Sequence, residues 1–209
     1  MPLVVSIVPQ NAKNLFCVYL DNGFRLDIDV YSFSKLNLKV GQNLSDSDVL
    51  KILELIEFQK TLDRLINFAT IRPRSIKEIS LWLDRKKVPE KIRSELFDKL
   101  KSLKLVDDFK FACWWVKQRN SFNPKPINVL KFELLQKGVD KKVIQKVLAK
   151  TTVNERENAI NILARKINKF SKYSGMAKFN KMVTYLLRKG YSLENARHAA
   201  NHVNKQVLT

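Results

Sequence analysis

The residues able to do chemistry in this chain are few, and most sit where a structural role explains them. Asp107 and Asp108 are adjacent carboxylates, a pairing that in other settings shares acid–base work or holds a divalent ion. Here they directly precede an apolar run and have no base or ligand cluster beside them. They read as the N-cap and first-turn acid of a helix. His198 and His202 have the i, i+4 spacing of a metal-binding pair but no third ligand nearby, so they read as ordinary helix residues. Cys17 and Cys113 are far apart, with no CxxC and no Cys/His cluster. They are expected to be two buried thiols in a reducing compartment, forming neither a metal site nor a disulfide. The chain has no glycine-rich phosphate loop and no nucleophile elbow. No catalytic residue, cofactor or metal is expected, and the chain is not read as an enzyme.

Binding chemistry is better represented. Lys86, Lys137 and Lys189 recur at one relative position, each beside further positive charge: Arg85 and Lys87, then Lys131, then Arg188. A cation at a helix C-terminus gains ~0.3–1 kcal/mol from the helix dipole, which alone could explain them. If the segments stack regularly, these lysines form a row facing an acidic or nucleic-acid partner. Arg72, Arg74, Arg119 and Lys125 form a second set at turns between helices. Replacing Arg72 and Arg74 by alanine is expected to weaken partner binding with little loss of thermal stability. Trp114 and Trp115 lie about 100° apart on a helix, so they are not expected to be buried alike: one is expected in the core, and stacking of the other on partner or DNA is the minor alternative. Asp107, Asp108, Trp114, Gly138 and Gly190 are read as structural.

A repeat positions these residues. Ile76-Ile79-Leu83-Lys86-Lys87-Val88 returns 51 residues later as Ile127-Leu130-Leu134-Lys137-Gly138-Val139, and after 52 more as Phe179-Met182-Leu186-Lys189-Gly190-Tyr191. Each copy is a helix with apolar residues at i, i+3 and i+7, then a basic residue, a turn and an apolar residue. Three copies at one period predict a tandem array of three-helix modules, elongated and curved. The expected modules are 45–106, 107–151 and 152–209, after an N-terminal extension over 1–44. Ser45 caps the first long helix, Asp46 to Phe68. Capping boxes are read at Ser75–Glu78 and Thr152–Glu155, Pro89 opens a helix, and Pro124, Pro126 and Gly175 break the chain between helices. In the last helix of the third module, Asn195/Ala199 stand where Ile92/Leu96 and Val143/Val147 stand in the others. That fits an end cap or docking face.

The extension reads as β structure. Phe24 to Val30 alternates apolar and polar after Asp21-Asn22-Gly23, predicting a hairpin closed at Asn22-Gly23. That closure pairs Tyr19 with Leu26, Cys17 with Ile28 and Leu15 with Val30. Either Val4-Ser6-Val8 or Leu3-Val5-Ile7 supplies a third strand, and Tyr31 to Asn37 a short helix. So small a sheet must dock on the first helices. The expected fold is mainly α with a small N-terminal hairpin or three-stranded sheet.

Charge is uneven. The net +19 is absent from residues 1–71, which carry 7 Lys+Arg and 8 Asp+Glu. Residues 72–150 carry 21 and 9, and residues 151–209 carry 11 and 3. The excess lies on the repeats and suits nucleic acid or an acidic nucleoprotein. No apolar run nears the ~18 residues of a membrane span, and Met1-Pro2-Leu3-Val4-Val5 does not read as a signal peptide. A cytoplasmic monomer without membrane contact is expected.

Three elements resemble a known family. Arg72-Pro73-Arg74-Ser75-Ile76-Lys77-Glu78-Ile79 is similar to the RxRSxxEL start of RecX proteins, bacterial regulators of the RecA recombinase. Leu105-Val106-Asp107-Asp108-Phe109-Lys110-Phe111-Ala112-Cys113-Trp114-Trp115-Val116 resembles their LxDDxxFAxxWV element. Lys125-Pro126 with Leu130 to Val139 resembles KP…LxxELxxKGI, although Ile127 stands where glycine often follows KP. Leu186 to Tyr191 looks like LxRRGF, and the N-terminal hairpin is similar to an extension in longer members. The resemblance implies a non-enzymatic regulator that binds the RecA–single-stranded DNA filament. Such a protein would suppress filament extension, ATPase, strand exchange and coprotease activity, and so modulate DNA repair, recombination and the SOS response. A direct nucleic-acid-binding helical repeat is the alternative.

Overall fold

A computed structural model describes residues 1–10, 14–151 and 153–206, with side chains to 204. Strands β1 (Val4–Gln10), β2 (Leu15–Leu20) and β3 (Arg25–Asp29) form an antiparallel sheet in that order. The hairpin register differs by one residue from the two-residue-turn expectation. The loop is Asp21-Asn22-Gly23, with Gly23 at φ 82°, so Val18 pairs with Leu26 and Phe16 with Ile28. Three-residue loops of this kind end in a left-handed residue, and a one-residue slip flips every side chain of the strand. Val18 and Leu20 therefore face the core with Leu26 and Ile28, while Tyr19 is exposed and Val30 opens the next helix. In β1 a bulge between Val4 and Ser6 turns both Val4 and Ile7 inward, which neither simple alternation allows.

Helix α1 (Val30–Leu36) is capped by Asp29, whose carboxylate accepts the Ser32 amide, and ends at left-handed Asn37. Helix α2 (Asp46–Thr70) opens on a full capping box between Ser45 and Asp48. The sheet packs on α1 and on Ile52 and Ile56 of α2, which gives it the support a small sheet needs.

Eight further helices follow: α3 (Ile76–Arg85), α4 (Glu90–Ser102), α5 (Asp108–Phe122), α6 (Ile127–Gln136), α7 (Lys141–Ala149), α8 (Glu155–Ala164), α9 (Gly175–Arg188) and α10 (Leu193–Gln206). A short 3-10 helix (Ile167–Phe170) lies between α8 and α9. The described residues are thus mainly helical, with one small sheet. They form two compact units, one of Met1–Arg72 with Leu83–Leu105, the other of Pro73–Trp82 with Val106–Thr209.

The sequence repeat is a structural repeat. Ile79, Leu130 and Met182 are fully buried, as are Leu83, Leu134 and Leu186. Each such side chain contributes ~1.5–3 kcal/mol by leaving water. After each helix the chain turns through a left-handed residue: Lys87 at φ 53°, Gly138 at 81°, Gly190 at 88°. The next amide then bonds back to the buried leucine, Val88 to Leu83 at 3.0 Å, Val139 to Leu134 at 3.1 Å and Tyr191 to Leu186 at 3.2 Å. This is one Schellman closure made three times. In α10 the core face is Ala196, Ala199, Ala200 and Val203. Asn195 is only half-buried and donates to Glu155 at 2.9 Å. Thr152 of the expected second capping box lies outside the described residues. The cap of α8 is Asn154, whose side chain accepts the Glu157 amide.

Candidate partner interface and the joints that position it

Two joints with the same plan hold the repeats of the second unit together. At the first, Asp108 of α5 accepts the Ile76 amide, the first of α3, at 2.9 Å. At the second, Glu155 of α8 accepts the Ile127 amide, the first of α6, at 2.7 Å. Each acid thus serves an orphan amide of a helix it is not part of. The glycine turns complete the joints. A Cβ on Gly138 would stand 2.7 Å from Lys77 Cβ, and one on Gly190 would overlap Val129 Cγ2. Only glycine combines positive φ with so close an approach. Buried Ser75 ties α3 to the end of α6: its hydroxyl donates to the Lys137 carbonyl at 2.8 Å and accepts the Glu78 amide at 3.1 Å. Lys77 Nζ adds a bond to the Gln136 carbonyl.

The predicted site residues fall into different environments. Lys137 Nζ sits 2.7 Å from Glu78 Oε1, whose side chain is 12% exposed. Arg119, in the last turn of α5 and not in a turn between helices, pairs with Glu133 at 2.8 Å. Trp115 brings the two cations together: Arg119 Cζ lies 4.6 Å and Lys137 Nζ 5.0 Å from its ring centroid, and its indole N–H donates to Glu133. Arg74 is half-buried and bridges by backbone to Val106; Arg72 and Lys125 are half-buried loop residues, and Lys86 is exposed. Arg188 is exposed on α9 and lines a cleft there, while Lys189 lies over the Tyr185 ring at 5.3 Å.

Asp107 is the N-cap of α5 and accepts the Phe109 and Lys110 amides. Burial pushes the Asp108 carboxyl above its usual range; the Ile76 amide opposes this and Asp107 adds to it. Trp114 and Trp115 both lie half-buried against the core around Phe111, so neither is purely core nor purely surface. Cys17 is buried but Cys113 is exposed, against the expectation of two buried thiols. The reason is phase: Phe111, Ala112 and Val116 carry the core face of α5, and Cys113 points off it. His198 and His202 are exposed. Buried Tyr191 has its phenol pushed up to about 12 by burial, with nearby Glu155 adding to it, and its hydroxyl meets no partner among the described residues.

Sequence reasoning gave Glu78 and Glu155 only local capping roles and Glu133 none. Glu78, Glu133 and Glu155 each lie in another helix from the group they serve, so no local pattern announces them. It also missed the cleft beside α9, which had a visible signal: no Asp or Glu occurs between Glu157 and Glu194.

Within the second unit, α5–α7 and α8–α10 are three-helix repeats linked by one plan of joint. Residues 107–148 match the family model for the second RecX three-helix domain, and residues 154–199 match the third. These two segments are therefore similar to RecX domains, as the motifs suggested. It is 28% identical over 196 residues to the regulatory protein RecX of Bacillus pumilus, covering 93% of this chain and 74% of that one. With the RecX of Listeria monocytogenes it shares 25% over 208 residues, covering 99% and 77%. A crystal structure of a regulatory protein RecX superposes with a TM-score of 0.73 at 20% identity, over 93% of this chain and 97% of that one. RecX from Lactobacillus salivarius gives 0.60 at 25% identity, over 70% and 96%. These likenesses support a RecX regulatory role. No helix among the described residues is long and apolar enough to cross a membrane.

Proposed function

We propose that this chain binds the RecA–single-stranded DNA filament and inhibits RecA, limiting filament extension, ATP hydrolysis, strand exchange and coprotease activity. The carrying observation is the match of 107–148 and 154–199 to RecX domains. The charge supports it: the 138 residues from 72 to 209 hold the whole positive excess, as a partner built on phosphate requires. On this reading the protein is a cytoplasmic monomer of modules 45–106, 107–151 and 152–209 after an N-terminal extension, acting without catalysis. Arg72, Arg74, Lys86, Lys125, Arg188 and Lys189 are its proposed contact residues. Arg119 and Lys137, paired with Glu133 and Glu78, link helices and are left out of the contact set. The test is affinity for a labelled oligonucleotide, bare and coated with RecA. A large gain on coating is expected; equal affinity for both forms would point to a plain nucleic-acid binder.

A further inference from the structure

The cleft beside α9 encloses about 450 Å³ between the 3-10 helix and α9. Lys169, Lys172, Lys181 and Arg188 line it, with Tyr173 and Tyr185 between them. Lys181, Tyr185 and Arg188 are spaced i, i+4, i+7, so α9 presents them as one stripe. No carboxylate pairs with these cations among the described residues, and none lines the cleft. Two of the lysines instead lie over a tyrosine ring, Lys172 at 5.4 Å and Lys181 at 5.6 Å from the Tyr173 centroid. Such exposed cation–π contacts are weak, so a phosphate displaces them readily. Tyr185 is braced edge-on by Phe170, centroids 5.7 Å apart.

We propose that this cleft is a single-stranded nucleic-acid subsite, in which Lys169, Lys181 and Arg188 hold successive phosphates and Tyr173 and Tyr185 offer ring faces to bases. Cations interleaved with aromatic rings are how sequence-tolerant strand binders work: charge tracks the backbone and rings take the bases. An acidic protein surface would use the charge but leave the rings without a flat partner. A duplex keeps its bases paired and stacked, out of reach of rings inside a cleft of this size. The inference deepens the regulatory reading and rests on it only for the source of the strand, the DNA of the filament.

The experiment measures binding of a fluorescent oligothymidylate by the full chain without RecA, beside RecA ATPase inhibition. The variants are Lys169→Glu/Lys181→Glu in the cleft and Lys39→Glu/Lys110→Glu elsewhere, which change net charge equally. The cleft variant is expected to lose at least about tenfold in affinity and to flatten the log K against log salt slope by about 1.4. The control is expected to stay within about threefold of wild type, and Tyr173→Ala to weaken binding with no change in slope. Equal losses in both charge variants would overturn the proposal, as would equal affinity for a duplex of the same length or no strand binding by the wild type. A cleft variant that keeps strand binding but no longer inhibits RecA would also overturn it, placing the cleft against RecA protein. If strand binding needs the cleft while wild type leaves the ATPase untouched, the subsite stands and the regulatory reading falls.

Discussion

Lys137 and Arg119 both lie over Trp115 and each pairs with a glutamate, 2.7 and 2.8 Å away; Lys181 and Arg188 share a cleft with tyrosines and no acid. The residue types match and the surroundings are opposite. At the joint, charge is neutralised inside the protein and locks helix to helix. In the cleft it is left for an outside anion. A basic residue's position in a repeat therefore does not tell its job. Lys137 and Lys189 are equivalent in the repeat, yet one is paired with an acid 59 residues away and the other lies on an aromatic ring.

That contrast can be broken most forcefully through the glycine at the second joint. Gly190→Ala adds a methyl at positive φ into Val129, and is expected to destabilise by ~2–4 kcal/mol. Chemical denaturation would read this; an unchanged midpoint would mean the repeats do not meet as described. Next comes Glu133→Ala, which orphans the Arg119 guanidinium and the Trp115 indole N–H. A loss of ~1–3 kcal/mol is expected, with strand affinity at saturating folded protein unchanged. Lys181→Met should do the reverse, sparing the melting temperature and weakening strand binding. If both substitutions moved both quantities alike, the division between joint and cleft would be wrong.

A smaller effect, of opposite sign, is expected at Tyr191. Its hydroxyl is buried without a partner, so Tyr191→Phe should stabilise by ~1 kcal/mol. A destabilised variant would reveal a bond that the hydroxyl makes. The smallest effect concerns Asp108. Its folded pKa is raised, chiefly by burial, so the folded state holds the proton more tightly than the unfolded one. Its contribution to stability is fully present below the unfolded carboxylate pKa and is lost as pH rises through the folded value. Asp108→Asn keeps an oxygen for the Ile76 amide and removes the buried charge. It should hold or raise the neutral-pH melting temperature and remove that acid-side gain, whereas Asp108→Ala should lower it.

The helices, their caps at Ser45, Asp107 and Pro89, and the repeated Schellman turns were legible because each depends on residues within one turn of sequence. The sheet's existence was legible, but its register was not. Asp21-Asn22-Gly23 can close as a two- or a three-residue loop, and packing of Val18 and Leu20 on α2 decides between them. The α10 core was hidden because its face is alanine at 196, 199 and 200, too small to stand out as a stripe. The candidate contact residues were legible as charges, but their partners were not, since ion pairs across 14 and 59 residues leave no local spacing to read. The α9 cleft was written in composition alone, as a stretch without acids.

The central claim is regulation of RecA, and RecA ATPase on limiting single-stranded DNA, titrated with this protein, tests it most directly. Inhibition at concentrations too low to coat the bare strand is the predicted result. An unchanged rate, together with tight, salt-sensitive binding to the bare strand, would contradict it and leave a nucleic-acid-binding array.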